Sequence, residues 1–148
     1  MISCDTNILF MALDSESRGH IEVRQYLASV VESADFALCE LVLLELYGLL
    51  RNPVVCRQPY SAAEAAQVIQ HLRGHRRWAI LDYPGPQAGL MKKIWEAAAQ
   101  TAFPYKRIYD LRLALTLRHH GVTDFATRNV KDFEGFGFRR VWDPMKDA

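Results

Sequence analysis

The stretch SCDTNILF, residues 3–10, places an acid, a hydroxyl and an amide between two apolar runs. The residues before Asp5 are typical of a short buried strand, and Asp, Thr and Asn are residues that cap the first turn of a helix. Ligands of open parallel α/β sheets bind outside the carboxyl ends of the strands, where a residue at position 5 would stand. The stretch therefore predicts a strand followed at once by a helix. Two interpretations of Asp5, Thr6 and Asn7 stay open, a helix cap or a corner of a functional site.

The rest of the chain alternates between strand-like and helix-like segments. After MISC at the start, the further segments of strand composition are ADFALC (34–39), RRWAIL (76–81), TDFATR (123–128) and FRRVW (138–142). Segments with helical spacing of apolar residues are 19–31, 39–51, 61–72 and 108–118. Ser61 and Glu64 predict a capping box, and Gly121 is expected at a helix C-cap. This alternation predicts an α/β fold with a mostly parallel sheet and helices on both faces.

Length and composition predict a single globular domain over residues 1–148. Half of the residues are hydrophobic and 24% are charged, a balance that excludes a disordered tail and a membrane protein. The longest apolar stretch, LVLLELYGLL, contains Glu45 and is too short to cross a bilayer. Because MISCDTN has no features of a signal peptide, we expect a cytoplasmic protein without a membrane partner.

The three cysteines indicate neither a disulfide framework nor a zinc site, because their number is odd and no CxxC spacing occurs. Cys4 and Cys39 each end an apolar run and are expected to be small buried hydrophobes. The net charge of +1 leaves a polyanionic partner open. Basic groups do gather in RGHRR (73–77) and YKRIYDLR (105–112), and the second cluster has aromatic neighbours.

A carboxylate interrupts the most apolar predicted helix. CELVLLELYGLLR, residues 39–51, is apolar almost all round, which predicts burial against several neighbours. Glu45 stands in its middle, and a buried carboxylate without a partner costs several kcal/mol, so it would need a cation, a metal or strong donors. The alternative is a Glu side chain that reaches a backbone amide or a surface Arg.

Two further polar groups follow the same logic. Asp110 falls in the first turn of a predicted helix, where the helix dipole alone favours an acid; that position would also bring it toward Asp5. The polar cluster Thr127, Arg128 and Asn129 follows a predicted strand, with Asp132 three residues further along. Three converging carboxylates repel one another unless a divalent cation neutralises them, and ligands that are all oxygen suit Mg²⁺ or Mn²⁺ rather than zinc.

In their order and spacing these segments resemble a PIN domain, and more narrowly the VapC-type toxin ribonucleases of bacterial toxin–antitoxin pairs. The resemblance covers nearly the whole chain and rests on DTNILF, LVLLELYGLL, YDLRLALTLRHHG and DFATRNVKDFEGFG. It implies a central parallel sheet of about five strands with an acidic metal site at its carboxyl edge. It also implies hydrolysis of RNA phosphodiesters with Mg²⁺ or Mn²⁺, a homodimer, and inhibition by a small cognate antitoxin.

By the same resemblance, Asp5, Glu45 and Asp110 are the catalytic acids and metal ligands. Supporting roles go to Thr6, Asn7 and Thr127, and Thr127 is expected to hydrogen-bond a carboxylate or a water.

The fourth acidic position departs from the family pattern. Many PIN domains have Asp where this chain has Asn129, which as a catalytic-site residue can still ligate a cation or hold its water but brings one negative charge fewer. Asp132 would compensate only if its loop bends inward, and its place in KDF fits a supporting role better. Glu40 is a further acid at the site's margin, although its place before the apolar run favours helix capping.

An acidic pocket that binds RNA needs compensating cations nearby. Lys106, Arg107 and Arg112 are the first candidates for RNA binding and Arg128 is the next, against the alternative that each is solvated surface. Tyr105 and Tyr109 have the chemistry to stack on unpaired bases, or else belong to the core or to a dimer contact.

Other classes of protein remain as alternatives. A phosphatase of the haloacid dehalogenase type also begins with Asp after its first strand, but it would need a second Asp where this chain has Asn7. A PIN-like module that binds RNA or protein without cutting is kept open by Asn129. A scaffold in which the acids only cap helices would leave Glu45 without a reason.

Overall fold

The structure is a computed structural model, and it describes residues 1–147. Its centre is a sheet of five parallel strands in the order β3-β2-β1-β4-β5. The strands are β1 (Ile2–Cys4), β2 (Phe36–Cys39), β3 (Ala79–Leu81), β4 (Asp124–Ala126) and β5 (Arg140–Trp142). Each lies inside a segment that the sequence predicts as a strand, so the predicted α/β class and sheet are confirmed.

Seven helices occur in residues 1–147. They are α1 (Thr6–Leu13), α2 (His20–Val30), α3 (Glu40–Arg51), α4 (Ala62–Arg73), α5 (Leu90–Ala98), α6 (Ile108–His119) and α7 (Val130–Phe133). The four predicted helices are confirmed, and so is the capping box at Ser61 and Glu64. Gly121 follows the end of α6 with a φ of 87°, the left-handed conformation that glycine adopts easily. Helix α5 was not predicted; its signal is the pair Leu90 and Ile94, four residues apart and both buried.

The chain adds strands first on one side of β1 and then on its other side, so a topological switch point lies between β1 and β4. The chain moves from β1 through β2 to β3, then returns across the sheet to β4 and β5. Because parallel crossovers are right-handed, α1 to α4 cover one face and α5 to α7 cover the other. The carboxyl ends of β1 and β4 therefore flank the crevice where open α/β sheets bind ligands.

The core lies on both sides of this sheet. Every residue of β2 is buried, and α3 buries Val42, Leu43, Leu46 and Leu50 against its neighbours. Cys4 and Cys39 are fully buried free thiols, as predicted. None of the helices within residues 1–147 has the length and apolar character needed to cross a bilayer.

Helix α3 packs against several neighbours, as predicted, but the expectation that Glu45 is buried in it is wrong. Its outer face is solvent-exposed, with Leu44 at 69% exposure and Glu45 and Tyr47 also exposed. Helix α3 packs against α1 and α4 on its inner side, and the residues of its other side stay exposed to solvent. An apolar sequence pattern does not tell which of its faces the chain itself will cover.

Candidate metal centre

Asp5 is both the N-cap of α1 and the most buried carboxylate of the predicted site. It leaves β1 with its backbone N–H bonded to the Ala126 carbonyl oxygen at 2.8 Å, which ties β1 to the end of β4. Its Oδ1 accepts from the Thr6 backbone N–H at 2.8 Å, and this bond confirms the predicted cap. Its Oδ2 accepts from the Thr127 hydroxyl at 2.7 Å and from Asn7 Nδ2 at 3.1 Å.

The start of α1 forms one wall of the site, and the turn after β4, residues 127–129, forms the second wall. The Thr127 hydroxyl donates to Asp5 and accepts from the Asn129 backbone N–H at 3.0 Å. The Asn7 side-chain oxygen accepts from the Arg128 backbone N–H at 3.3 Å. The predicted hydrogen bond from Thr127 to a carboxylate is therefore confirmed. Thr127 and Asn7 thus both donate a hydrogen bond to Oδ2 of Asp5.

Glu45 reaches the site from outside the core. It is exposed on α3, in contrast to the predicted buried position, and its Oε2 accepts from the Thr6 hydroxyl at 2.9 Å. Thr6 thus supports Glu45 directly and lies next to Asp5 in the chain. This exposure explains how Glu45 can stand in an apolar helix, because water solvates its carboxylate.

Asp110 closes the site from the other face of the sheet. It lies half-buried in the first turn of α6. A pocket of about 440 Å³ opens between it and Glu45, lined also by Leu41, Lys106, Tyr109, Arg112 and Leu113.

Burial and neighbouring negative charges raise the pKa values of Asp5 and Asp110. Burial is the main reason that the pKa of Asp5 rises from 3.8 to about 6. The hydrogen bonds from Thr127 and Thr6 lower the pKa of Asp5, while the negative charges of Glu45 and Asp110 raise it. The pKa of Asp110 is also raised, first by burial and then by the charges of Asp132 and Glu45, against a lowering by Arg107. The negative charges of four acids therefore interact at this site, namely those of Asp5, Glu45, Asp110 and Asp132.

The donor set fits a hydrated divalent cation. Asp5 is 8% exposed and no cationic side chain within residues 1–147 pairs with it, so only hydrogen bonds compensate its negative charge. No three His, Cys, Asp or Glu side chains in the described chain converge closely enough to hold an ion alone. Mg²⁺ typically keeps several waters and binds through one or two carboxylates, so a set of spaced oxygen ligands suits it.

Asn129 and Asp132 lie at the margin of the site. Both are exposed, Asn129 directly before α7 and Asp132 within it. The effect of Asp132 on the pKa of Asp110 places its charge close to the cluster. Which of the two completes a metal site stays a prediction.

The four predicted RNA-binding cations fall into two groups. Lys106 and Arg112 line the pocket beside Glu45 and Asp110. The Arg112 guanidinium also lies 4.6 Å from the centre of the Tyr83 ring. The other two guanidiniums have partners inside the fold: that of Arg107 donates to the carbonyl oxygens of Asp132 and Glu134, and that of Arg128 pairs with Asp143.

Two acids outside the cluster differ from expectation. Glu40 lies in the first turn of α3 but makes no cap hydrogen bond; it pairs with Arg73 of α4 at 2.8 Å, so the capping prediction is wrong. Asp143 was missed altogether, although it follows β5 in the way that Asp5 follows β1. That position after a strand was the signal that could have found it.

A parallel sheet of this order with acidic side chains at its switch point is the architecture of a PIN domain. The chain belongs to the PIN-domain family, whose model matches residues 2–138. Among curated proteins it is 49% identical over 145 residues to Ribonuclease VapC24 of Mycobacterium tuberculosis, in strains H37Rv and CDC 1551, covering 98% of this chain and 97% of the relative. The resemblance to PIN domains and to VapC ribonucleases is thereby confirmed, and the dehalogenase-type alternative is wrong.

Two solved structures share the fold. FitAcB from Neisseria gonorrhoeae has a TM-score of 0.66 at 21% identity, covering 97% of this chain and 98% of that one. VapC20 of Mycobacterium tuberculosis, described as a Sarcin-Ricin loop cleaving toxin, has a TM-score of 0.63 at 18% identity, covering 93% and 96%. At these identities the comparison concerns the fold alone.

Proposed function

We propose that this protein is a metal-dependent endoribonuclease that hydrolyses RNA phosphodiester bonds as the toxin of a toxin–antitoxin pair. The observation that carries the proposal is the buried Asp5 carboxylate, without a cationic partner in residues 1–147, at the switch point of a PIN-domain sheet. The near full-length similarity to a ribonuclease supports RNA as the substrate. Mg²⁺ or Mn²⁺ is the proposed cofactor, since the donors are oxygens.

Each acid has a proposed role. Asp5, Glu45 and Asp110 would hold the cation, which when bound acidifies a water and screens the negative charge of the phosphate. Asp5 is aimed by its bonds from Thr6, Asn7 and Thr127, so its carboxylate is oriented before substrate arrives. Asp110, which lines the pocket opposite Glu45, is the proposed acceptor of the proton from the attacking water.

Cleavage of a mixed cellular RNA pool by purified, antitoxin-free protein tests this function. We expect cutting with Mg²⁺ or Mn²⁺ and none with EDTA. Folded protein that binds RNA but cuts under neither ion would overturn the nuclease and favour the binding module that Asn129 left open.

We expect Lys106 and Arg112 to draw RNA toward the acidic pocket that they line. Each phosphate contact removed reduces the slope of log affinity against log salt by about 0.7 for a single strand. Lys106→Gln should therefore weaken RNA binding at low salt and flatten this slope by about that amount. Fluorescence anisotropy with a labelled single-stranded RNA and EDTA measures both without cleavage.

Arg76→Gln is the matched control for Lys106→Gln. Arg76 is an exposed cation before β3, at the opposite edge of the sheet, and it pairs with Glu32. Equal slopes for both variants would contradict a specific role for Lys106.

The proposed protein partners are a small cognate antitoxin and a second copy of the chain, with the cytoplasm as the proposed location. A homodimer is supported by an exposed apolar groove between α5 and the start of α6, of about 490 Å³. Trp95 is 61% exposed there, and Tyr105 and Tyr109 are each 80% exposed. Apolar patches of this kind mark interaction surfaces.

Trp95→Arg should convert the proposed homodimer to a monomer, because it places a charge in the centre of the apolar groove. Light scattering after size exclusion measures the change. Ile21→Arg is the control, since Ile21 is 67% exposed on α2, away from the groove. A wild type that is already monomeric at micromolar concentration, or a Trp95→Arg variant that stays dimeric, would contradict this interface.

A further inference from the structure

A partly buried ion pair lies behind the turn that forms the second wall of the metal centre. Arg128 Nη1 is 2.9 Å from Asp143 Oδ2 and 3.2 Å from Oδ1. Asp143 is 3% exposed, and its Oδ1 also accepts from the Met145 backbone N–H at 3.0 Å. The segment after β5 is thereby fastened to the turn after β4.

The backbone of the same arginine reaches the site. The Arg128 backbone N–H donates to the Asn7 side-chain oxygen at 3.3 Å, and this bond supports the direction in which the Asn7 amide faces. With its oxygen held by Arg128, Asn7 presents its Nδ2 to Asp5 Oδ2. A turn that moved away would remove the donor from the Asn7 oxygen and loosen the side chain that donates to Asp5.

We propose that Arg128 is a positioning residue whose pairing with Asp143 holds residues 127–129 where Thr127 and Asn7 both donate to Asp5 Oδ2. The proposal rests on the proposed function in one respect, namely that Asp5 holds a divalent cation. Together with the Thr6 N–H on Oδ1, these two donors on Oδ2 fix the carboxylate plane and leave one lone pair of Oδ1 in a constant direction. Groups that orient metal ligands in this way typically contribute about 10- to 100-fold in metal affinity.

Two other roles make different predictions. Direct RNA binding, the role that the sequence suggests, requires a free guanidinium, whereas that of Arg128 is paired with a carboxylate that is almost fully buried. A purely stabilising ion pair would contribute to the free energy of unfolding and leave the metal affinity of the folded protein unchanged.

The test removes both charges together. Arg128→Met alone would leave the Asp143 carboxylate buried without its partner and risks unfolding the protein. The double variant Arg128→Met with Asp143→Asn strands no charge and leaves the net charge near the site unchanged. A loss of cation affinity in this variant then has no long-range electrostatic explanation.

A matched control exists at the other end of strands β4 and β5. Arg139 pairs with Asp124 at 2.6 Å, and the Asp124 side chain is 11% exposed. This pair lies at the beginning of β4, the edge of the sheet away from Asp5. Arg139→Met with Asp124→Asn removes an ion pair whose carboxylate is also mostly buried, although its arginine is more exposed, and which has no part in the turn at 127–129.

We expect Mn²⁺ affinity, measured by calorimetry without RNA, to fall about 10-fold in the Arg128 and Asp143 double variant. The Asn7 side-chain amide resonance should move in the ¹H–¹⁵N spectrum of the metal-free protein. Arg128→Lys keeps a cation against Asp143. Its Mn²⁺ affinity should therefore stay within about 3-fold of the wild type, a smaller loss than the one expected for the double variant. The control variant, Arg139→Met with Asp124→Asn, should melt at a lower temperature than the wild type. Its Mn²⁺ affinity and its Asn7 amide resonance should stay unchanged.

If the folded Arg128 and Asp143 double variant binds Mn²⁺ as tightly as the wild type, the positioning role of Arg128 is overturned. A flatter salt dependence of RNA binding in that variant would then indicate that Arg128 contacts RNA. If the wild type binds Mn²⁺ but cuts no RNA, the proposed nuclease function is overturned, while the comparison of Mn²⁺ affinities between wild type and double variant still tests the role of Arg128. A wild type that binds no Mn²⁺ overturns the metal centre and this proposal together.

Discussion

Asp5→Asn and Asp110→Asn should each lower the rate of RNA cleavage at least about 100-fold, because a metal ion supplies several kcal/mol of transition-state stabilisation and 2.7 kcal/mol corresponds to 100-fold. Either substitution removes a full negative charge from a cluster whose field is built by a few acids. Asp110→Asn also removes the proposed proton acceptor. Single-turnover rates with saturating Mg²⁺ and with Mn²⁺ measure the loss.

Asp82→Asn is the matched control for these two variants. Asp82 follows β3 at the same edge of the sheet, is exposed, and accepts a hydrogen bond from the Tyr83 backbone N–H. Its replacement should leave cleavage within about 3-fold of the wild type, as for a surface substitution away from the reacting groups. Cleavage that survives in Asp5→Asn at near wild-type rate would contradict the assigned site.

In the absence of metal, the free energy of unfolding should rise as the pH falls from about 6 toward 4. The folded pKa of Asp5 is about 6, above its ordinary value of 3.8, so between these pH values the folded protein holds a proton that the unfolded chain has released. Acid therefore favours the folded state in this window, and the effect is lost as the pH rises through 6. At about 1.4 kcal/mol per pH unit, the upper limit from Asp5 is about 3 kcal/mol.

Asp110 acts in the same direction, because its pKa is also raised. The opposite case is Asp124, whose pKa is lowered by its hydrogen bond from Arg139; its contribution is lost only below its ordinary value of 3.8. The difference between wild type and Asp5→Asn therefore isolates Asp5 in the window from 4 to 6.

Urea unfolding between pH 4 and 7.5 in EDTA measures this effect. We expect Asp5→Asn to be more stable than the wild type above pH 6, by about 1 to 3 kcal/mol, since it no longer buries a charge without a cation. Mg²⁺ or Mn²⁺ should then raise the melting temperature of the wild type and leave that of Asp5→Asn unchanged. Parallel pH curves for the two proteins would show that Asp5 is not the buried charge.

Most of the fold could be predicted because its signals are local. Each strand segment is a short apolar run, each predicted helix has apolar spacing, and the capping box at Ser61 needs only residues three positions apart. Parallel topology then brings the carboxyl ends of β1 and β4 together, so the positions of Asp5 and Thr127 in the chain are enough to expect them at one edge.

Partners that depend on distant residues could not be predicted in this way. Arg107 and Arg128 look like free cations in the sequence, yet the carbonyl oxygens and the carboxylate that hold them lie 15 to 27 positions away in the chain. Glu40 was expected to bond its own helix and instead bonds Arg73 of the next one. Only the packing of α3 against its neighbours decided that Glu45 faces solvent.

The sequence by itself therefore determined the parallel sheet, its helices and the polar residues that follow β1 and β4, because backbone propensity and strand direction act over a few residues. Tertiary structure alone decided which charges are neutralised inside the protein and which remain to meet a cation or RNA. The reason is physical: the pKa of Asp5 and the pairing of Arg128 depend on burial and on groups brought close by folding.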